Sequence, residues 1–167
     1  SDFHFGGAAT INSDGDITTD AGINIKTNNN ITFAPAQGGT AGDGLKITGD
    51  FDLVATTSND TITVSGAIIG VDGGGGGTNE TVTITAGGSN GTSGGTIAIG
   101  GTIGSAGEIE SVALKAATAV KLGGNINTKG VSNNDVTITG PAILTANVDI
   151  DVTANATGTH EGDITFT

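Results

Sequence analysis

The groups in this 167-residue chain that could do chemistry are its carboxylates: 17 acids stand against 5 cations, all of them lysine, and the formal net charge is −12. Calcium takes six to eight oxygen ligands from carboxylates and carbonyls, and acidic turns supply both. Two sets have that character, Asp14 with Asp16 and Asp20, and Glu161 with Asp163. They are the candidate calcium ligands, weighed against the plainer reading of solvated acidic turns, and neither reproduces an EF-hand loop or a Gly-rich nonapeptide repeat. Asp50 with Asp52 and Asp149 with Asp151 could each put two carboxylates on one strand face, the minimum for glycoside hydrolysis. Such i, i+2 acids on an exposed face ordinarily serve solvation. His4 and His160 are the only imidazoles, neither in a catalytic motif, and there is no Cys nucleophile and no Arg to stabilise developing negative charge. The glycine run Gly73 to Gly77 is not followed by Gly-Lys-Ser/Thr, so it is no phosphate loop. The expectation is a protein that is not an enzyme and holds no cofactor beyond calcium.

Charge excludes two partner classes. Nucleic acid needs clustered Lys and Arg to displace counterions, and anionic lipid needs basic segments; five scattered lysines supply neither. No apolar run is long enough to span a bilayer, so membrane insertion is not expected. Without cysteine the fold must rest on burial and ladder hydrogen bonds, which also suits a chain exported unfolded. The first residue is Ser1 rather than Met and no basic-then-apolar signal follows it, which reads as a piece of a larger repetitive protein.

The elements that must position these groups are short strands. Val, Ile, Leu and Ala alternate with Thr, Asn and Asp from end to end, as in Thr81-Val82-Thr83-Ile84-Thr85 and Val148-Asp149-Ile150-Asp151-Val152. Only Glu108 to Val120 comes near a helix-forming composition. Many strands run through glycine into a second one, as in Val64-Ser65-Gly66-Ala67-Ile68, Ile99-Gly100-Gly101-Thr102-Ile103 and Leu122-Gly123-Gly124-Asn125-Ile126. These strand–corner–strand units start at Leu45, Ile62, Val82, Ile97, Val120 and Val136, roughly 15 to 23 residues apart, a span in which a solenoid coil can close. Residues 1–167 are therefore read as one β-solenoid segment of about eight coils. Irregular insertions are expected at Asp72 to Asn79 and Gly87 to Gly95, both read as flexible, exposed loops. The competing architecture is a pair of tandem antiparallel β-sandwich modules, disfavoured by the absence of Trp and Tyr to fill the gap between sheets.

The phrases Gly15-Asp16-Ile17-Thr18-Thr19, Asn29-Asn30-Ile31-Thr32-Phe33, Asn134-Asp135-Val136-Thr137-Ile138-Thr139 and Gly162-Asp163-Ile164-Thr165-Phe166-Thr167 resemble the repeats of filamentous-haemagglutinin-type secreted adhesins, as do the segments around Leu114 and Leu144. That resemblance implies a right-handed parallel β-helix at the bacterial cell surface, exported through an outer-membrane partner transporter. The partners it implies are a host or neighbouring cell surface, with glycan among the ligands, and adjacent repeats of the parent chain. Two rival functions remain: a polysaccharide-active β-helix enzyme, and a glycan- or ice-binding module using Thr61/Thr63 and Thr81/Thr83.

Overall fold

A computed structural model of the chain describes residues 2–19, 22–35, 44–71, 80–88, 90–104, 109–129, 134–152 and 162–167. Among them are eighteen strands and no helix. The strands follow one another in threes. The first coil is β1 (Asp2–Phe5), β2 (Ala9–Asn12) and β3 (Ile17–Thr19); the second is β4 (Ile23–Thr27), β5 (Ile31–Ala34) and β6 (Gly44–Ile47); the third is β7 (Phe51–Ala55), β8 (Thr61–Val64) and β9 (Ala67–Gly70). The fourth has β10 (Glu80–Ala86) and β11 (Thr96–Ile99), with its third side reduced to a bridge at Ile103. The fifth is β12 (Ile109–Ala116), β13 (Ala119–Leu122) and β14 (Ile126–Asn127); the sixth is β15 (Val136–Thr139), β16 (Ala142–Leu144) and β17 (Ile150–Asp151); and β18 (Ile164–Phe166) opens a seventh.

Every pairing between these strands is parallel. One face stacks β1-β4-β7-β10-β12-β15-β18, and a second stacks β2-β5-β8-β11-β13-β16. The third joins β3-β6-β9 to β14-β17 through the bridges Ile68–Ile103–Ile126. This is a parallel β-solenoid, and it overturns the antiparallel sandwich alternative. At about 4.8 Å per rung, seven levels make a rod on the order of 30 Å long.

The coils are longer and fewer than the sequence spacing implied. Asp2 pairs with Asn24 and Ile62 with Ile97, so successive coils take 22 to 35 residues. The strand–corner–strand unit misleads because it occurs at all three corners: Leu45 lies on the third face, Ile62, Ile97 and Val120 on the second, and Val82 and Val136 on the first. The helix-like composition after Glu108 is overridden as well, since β12 is the longest strand and is laddered on both sides.

Inward side chains form columns. Ile25, Leu53, Ile84, Leu114 and Ile138 stack in register on the first face, and all are buried. Ile31, Ile62, Ile97 and Val120 form the second-face column, and Leu45, Ile68, Ile103 and Ile126 the third. Phe33 and Phe51 meet edge to face at 5.6 Å, filling the width of the bore.

The corner between the second and third faces is a stack of glycines. A Cβ on Gly101 would come within 2.5 Å of the Gly66 carbonyl carbon, and one on Gly124 within 2.5 Å of that of Gly101. Here glycine is required by backbone-on-backbone approach from coil to coil. The segment Gly87 to Gly95, expected to be a flexible, exposed loop, is a loop whose Asn90, Thr92 and Ser93 are exposed but whose glycines are partly packed. Gly87, Gly91 and Gly95 are buried with positive φ, and the Ser93 N–H donates to the Gly87 carbonyl at 2.8 Å. The run Asp72 to Asn79 lies outside the described residues.

Candidate functional site

The residue just before a strand is repeatedly Asp or Asn, and its side chain reaches to the coil above. Asn30 Oδ1 accepts the Thr61 N–H at 2.7 Å, and Asn125 Oδ1 accepts that of Asp149 at 2.9 Å. Asp135 Oδ1 accepts the Asp163 N–H at 2.9 Å. Asp50 Oδ1 takes both the N–H and the hydroxyl of Thr81, at 3.1 and 2.9 Å. Asp16 Oδ1 accepts the Gly44 N–H at 2.9 Å. In a parallel ladder the first rung of a strand would otherwise end at a corner, and a short side-chain acceptor placed there extends it by one hydrogen bond. The Asp-Ile, Asn-Ile and Asp-Val phrases are thus the seams between coils.

This arrangement bears on the candidate calcium ligands one at a time. Asp16 also pairs with the Lys46 ammonium, and that hydrogen bond, helped by the Gly44 N–H, holds its carboxyl below the ordinary aspartate range. Asp14 is exposed, and so is Asp163. Asp20 and Glu161 lie outside the described residues, as does His160. Among the described residues no three His, Cys, Asp or Glu side chains gather at metal-binding distance.

A polar hollow lies on the outer side of the first face. It is a groove of about 220 Å³ lined by Asp2, Gly22, Ile23, Asn24, Asp50 and Asp52. Burial pushes the Asp52 carboxyl up, a hydrogen bond from Thr83 opposes the shift, and the neighbouring Asp50 charge adds to it. The pair anticipated at Asp50 and Asp52 is therefore brought to one hollow. Asp149 is exposed at the third face and Asp151 half-buried.

Besides Asp60, a buried acid whose carboxylate accepts the Thr57 N–H at 3.0 Å, two more acids escaped the sequence reading: Glu80 is fully buried and Glu110 nearly so. They sit where β10 and β12 slip register, Glu80 opposite Ile109 and Thr81 opposite Ser111, which leaves Glu110 as the extra residue of a bulge. Neither residue is unpartnered. The signal was available, since Glu80 has the parity of Val82 and Ile84, and Glu110 that of Val112 and Leu114.

The threonine rows are short. Thr10, Thr32 and Thr63 align on the second face, but Ala98 and Lys121 follow, and the Thr83 row meets Asp52 on one side and Ala113 on the other. Among the described residues no threonine row runs through more than three strands.

Comparison with family models, curated proteins and solved structures finds no match. The geometry alone carries the functional argument. Among the described residues no helix is long and apolar enough to cross a membrane.

Proposed function

We propose that this chain is an extracellular structural and adhesive segment of a large bacterial surface adhesin, a stiff spacer or contact surface for cell attachment. The observation that supports it most is where the acids and amides go. Asp16, Asn30, Asp50, Asn125 and Asp135 each bind a backbone N–H of the adjacent coil, so the residues best able to do chemistry join coils instead. Three ladders run side by side along the rod, so bending strains all of them together, and stability is shared between neighbouring coils. The proposed partners are a host or neighbouring cell surface, glycan included, the adjacent repeats of the parent chain, and an outer-membrane transporter for export.

A second reading, a polysaccharide-active enzyme, has one observation in its favour: the Asp50–Asp52 groove with its raised Asp52 carboxyl. One experiment separates the two. Beads coated with the protein are scored for cell attachment, and the soluble protein is incubated with acidic and neutral polysaccharides, with and without calcium, and read for reducing ends and unsaturated products. Attachment without product is expected. Product release that disappears in Asp52→Ala would replace the adhesive reading by the enzymatic one.

A further inference from the structure

Asn24 carries an enclosed acceptor that accepts nothing. It stands on the outer side of β4, directly opposite Asp52 of β7 in the parallel register and one rung away, about 4.8 Å along the rod. Both residues are half-buried, and both line the same groove. The Asn24 Oδ1 is nevertheless closed off from solvent, and among the described residues it has no hydrogen-bond partner. A buried carbonyl oxygen without a donor is costly, so the group that could supply one matters.

The register leaves one donor in reach. An ionised carboxylate only accepts, so a charged Asp52 sets one acceptor against another, whereas a protonated carboxyl has an O–H to give. On its other side Asp52 already takes the hydroxyl of Thr83, its ladder partner on β10. We propose that Asp52, once protonated, donates its O–H to Asn24 Oδ1 and closes a side-chain hydrogen-bond chain from Thr83 through Asp52 to Asn24, joining three successive coils more tightly in acid. The three residues belong to the second, third and fourth coils. The same proton removes a negative charge from the groove. This role for Asp52 goes beyond the adhesive reading and depends on neither functional reading.

The groups around Asp52 favour the proton. Asp50, at the entry to the same strand, and Asp2 of β1 share its groove, and the Asp50 charge pushes the Asp52 carboxyl in the same direction as burial does. Lys26 is on the outer side of β4 but stands opposite Val54. β10 turns its Glu80 into the core and presents Thr81, Thr83 and Thr85 outward, and β8 has no titratable side chain. Because the folded carboxyl is raised, the stabilisation is fully present below the ordinary aspartate value and is lost as pH rises through the raised one.

Carbon-13 NMR of the labelled chain tests this. On acidification the Asn24 side-chain carbonyl is expected to move downfield with the same midpoint as the Asp52 carboxyl, and to lose that step in Asp52→Asn, where an amide N–H donor is present at every pH. An Asn24 carbonyl that stays flat or moves upfield through the Asp52 midpoint overturns the proposal. Urea unfolding at neutral pH separates the contact from the relief of a buried charge. Asp52→Asn supplies a permanent donor, so the midpoint it gains in the wild-type background is expected to shrink when Asn24→Ala removes the acceptor. A gain at least as large in the Asn24→Ala background would leave burial as the sole cause and overturn the proposal.

Discussion

The Asp135 carboxylate accepts the backbone N–H of Asp163, 28 residues later and one coil above, at 2.9 Å. The same contact recurs with an amide at Asn30 and Asn125, so what the position requires is an acceptor oxygen and not a charge. Asp135→Asn is therefore expected to leave stability within a few tenths of a kcal/mol, while Asp135→Ala loses about 1 kcal/mol, the usual net worth of one hydrogen bond. Urea unfolding of the two variants checks this, and equal midpoints would remove the seam from the account.

Ile84 is fully buried and its neighbour Thr83 is half-buried on the outer face. Ile84→Asp places a carboxylate among Leu53 and Leu114 and is expected to cost several kcal/mol, enough to unfold the chain. Thr83→Asp is expected to be far milder, though not silent. It replaces the hydroxyl that binds Asp52 with a like charge, so its penalty should shrink in acid. Comparable melting temperatures for the two at neutral pH would contradict the register.

Gly101→Ala is expected to destabilise by about 1–3 kcal/mol, because its Cβ would press on the backbone of Gly66 and Ala67 and the corner has no flexible side chain to move aside. Gly15→Ala is the control. Nothing lies within 4 Å of a Cβ there, and fewer unfolded conformations should make it neutral or slightly stabilising. Thermal melts distinguish the two corners, and a harmless Gly101→Ala would show that the glycine stack can open.

Asp52 and Asp16 bend the pH profile in opposite directions. Burial raises Asp52 in the folded state, so the folded chain binds the proton more tightly; its contribution is present below the ordinary aspartate value and is lost as pH rises through the raised folded one. Lys46 lowers Asp16, whose contribution is present above the ordinary value and is lost as pH falls through the lowered one. Asp52→Asn should thus gain stability relative to the wild type at neutral pH, and Asp16→Asn should lose it, both differences narrowing in acid. Denaturation midpoints across the acid range measure this; a neutral-pH loss in Asp52→Asn would refute the burial argument.

Alternation is a property of adjacent residues, so the sequence alone determined which side chains of β7, β10, β12 and β15 face the core: Leu53, Ile84, Leu114 and Ile138 are buried as their parity requires. The same parity marked Glu80 as inward, against the habit of treating every Glu as solvated. What the tertiary structure decided was which strand lies over which. Coil closure links residues 22 to 35 apart through corners of unequal length, and because a strand–glycine–strand unit can turn any of the three corners, spacing could not tell a corner from a coil. For the same reason the sequence could not show the hydrogen-bond partners of Asp16: Gly44 and Lys46 are 28 and 30 residues away along the chain and one rung away in space.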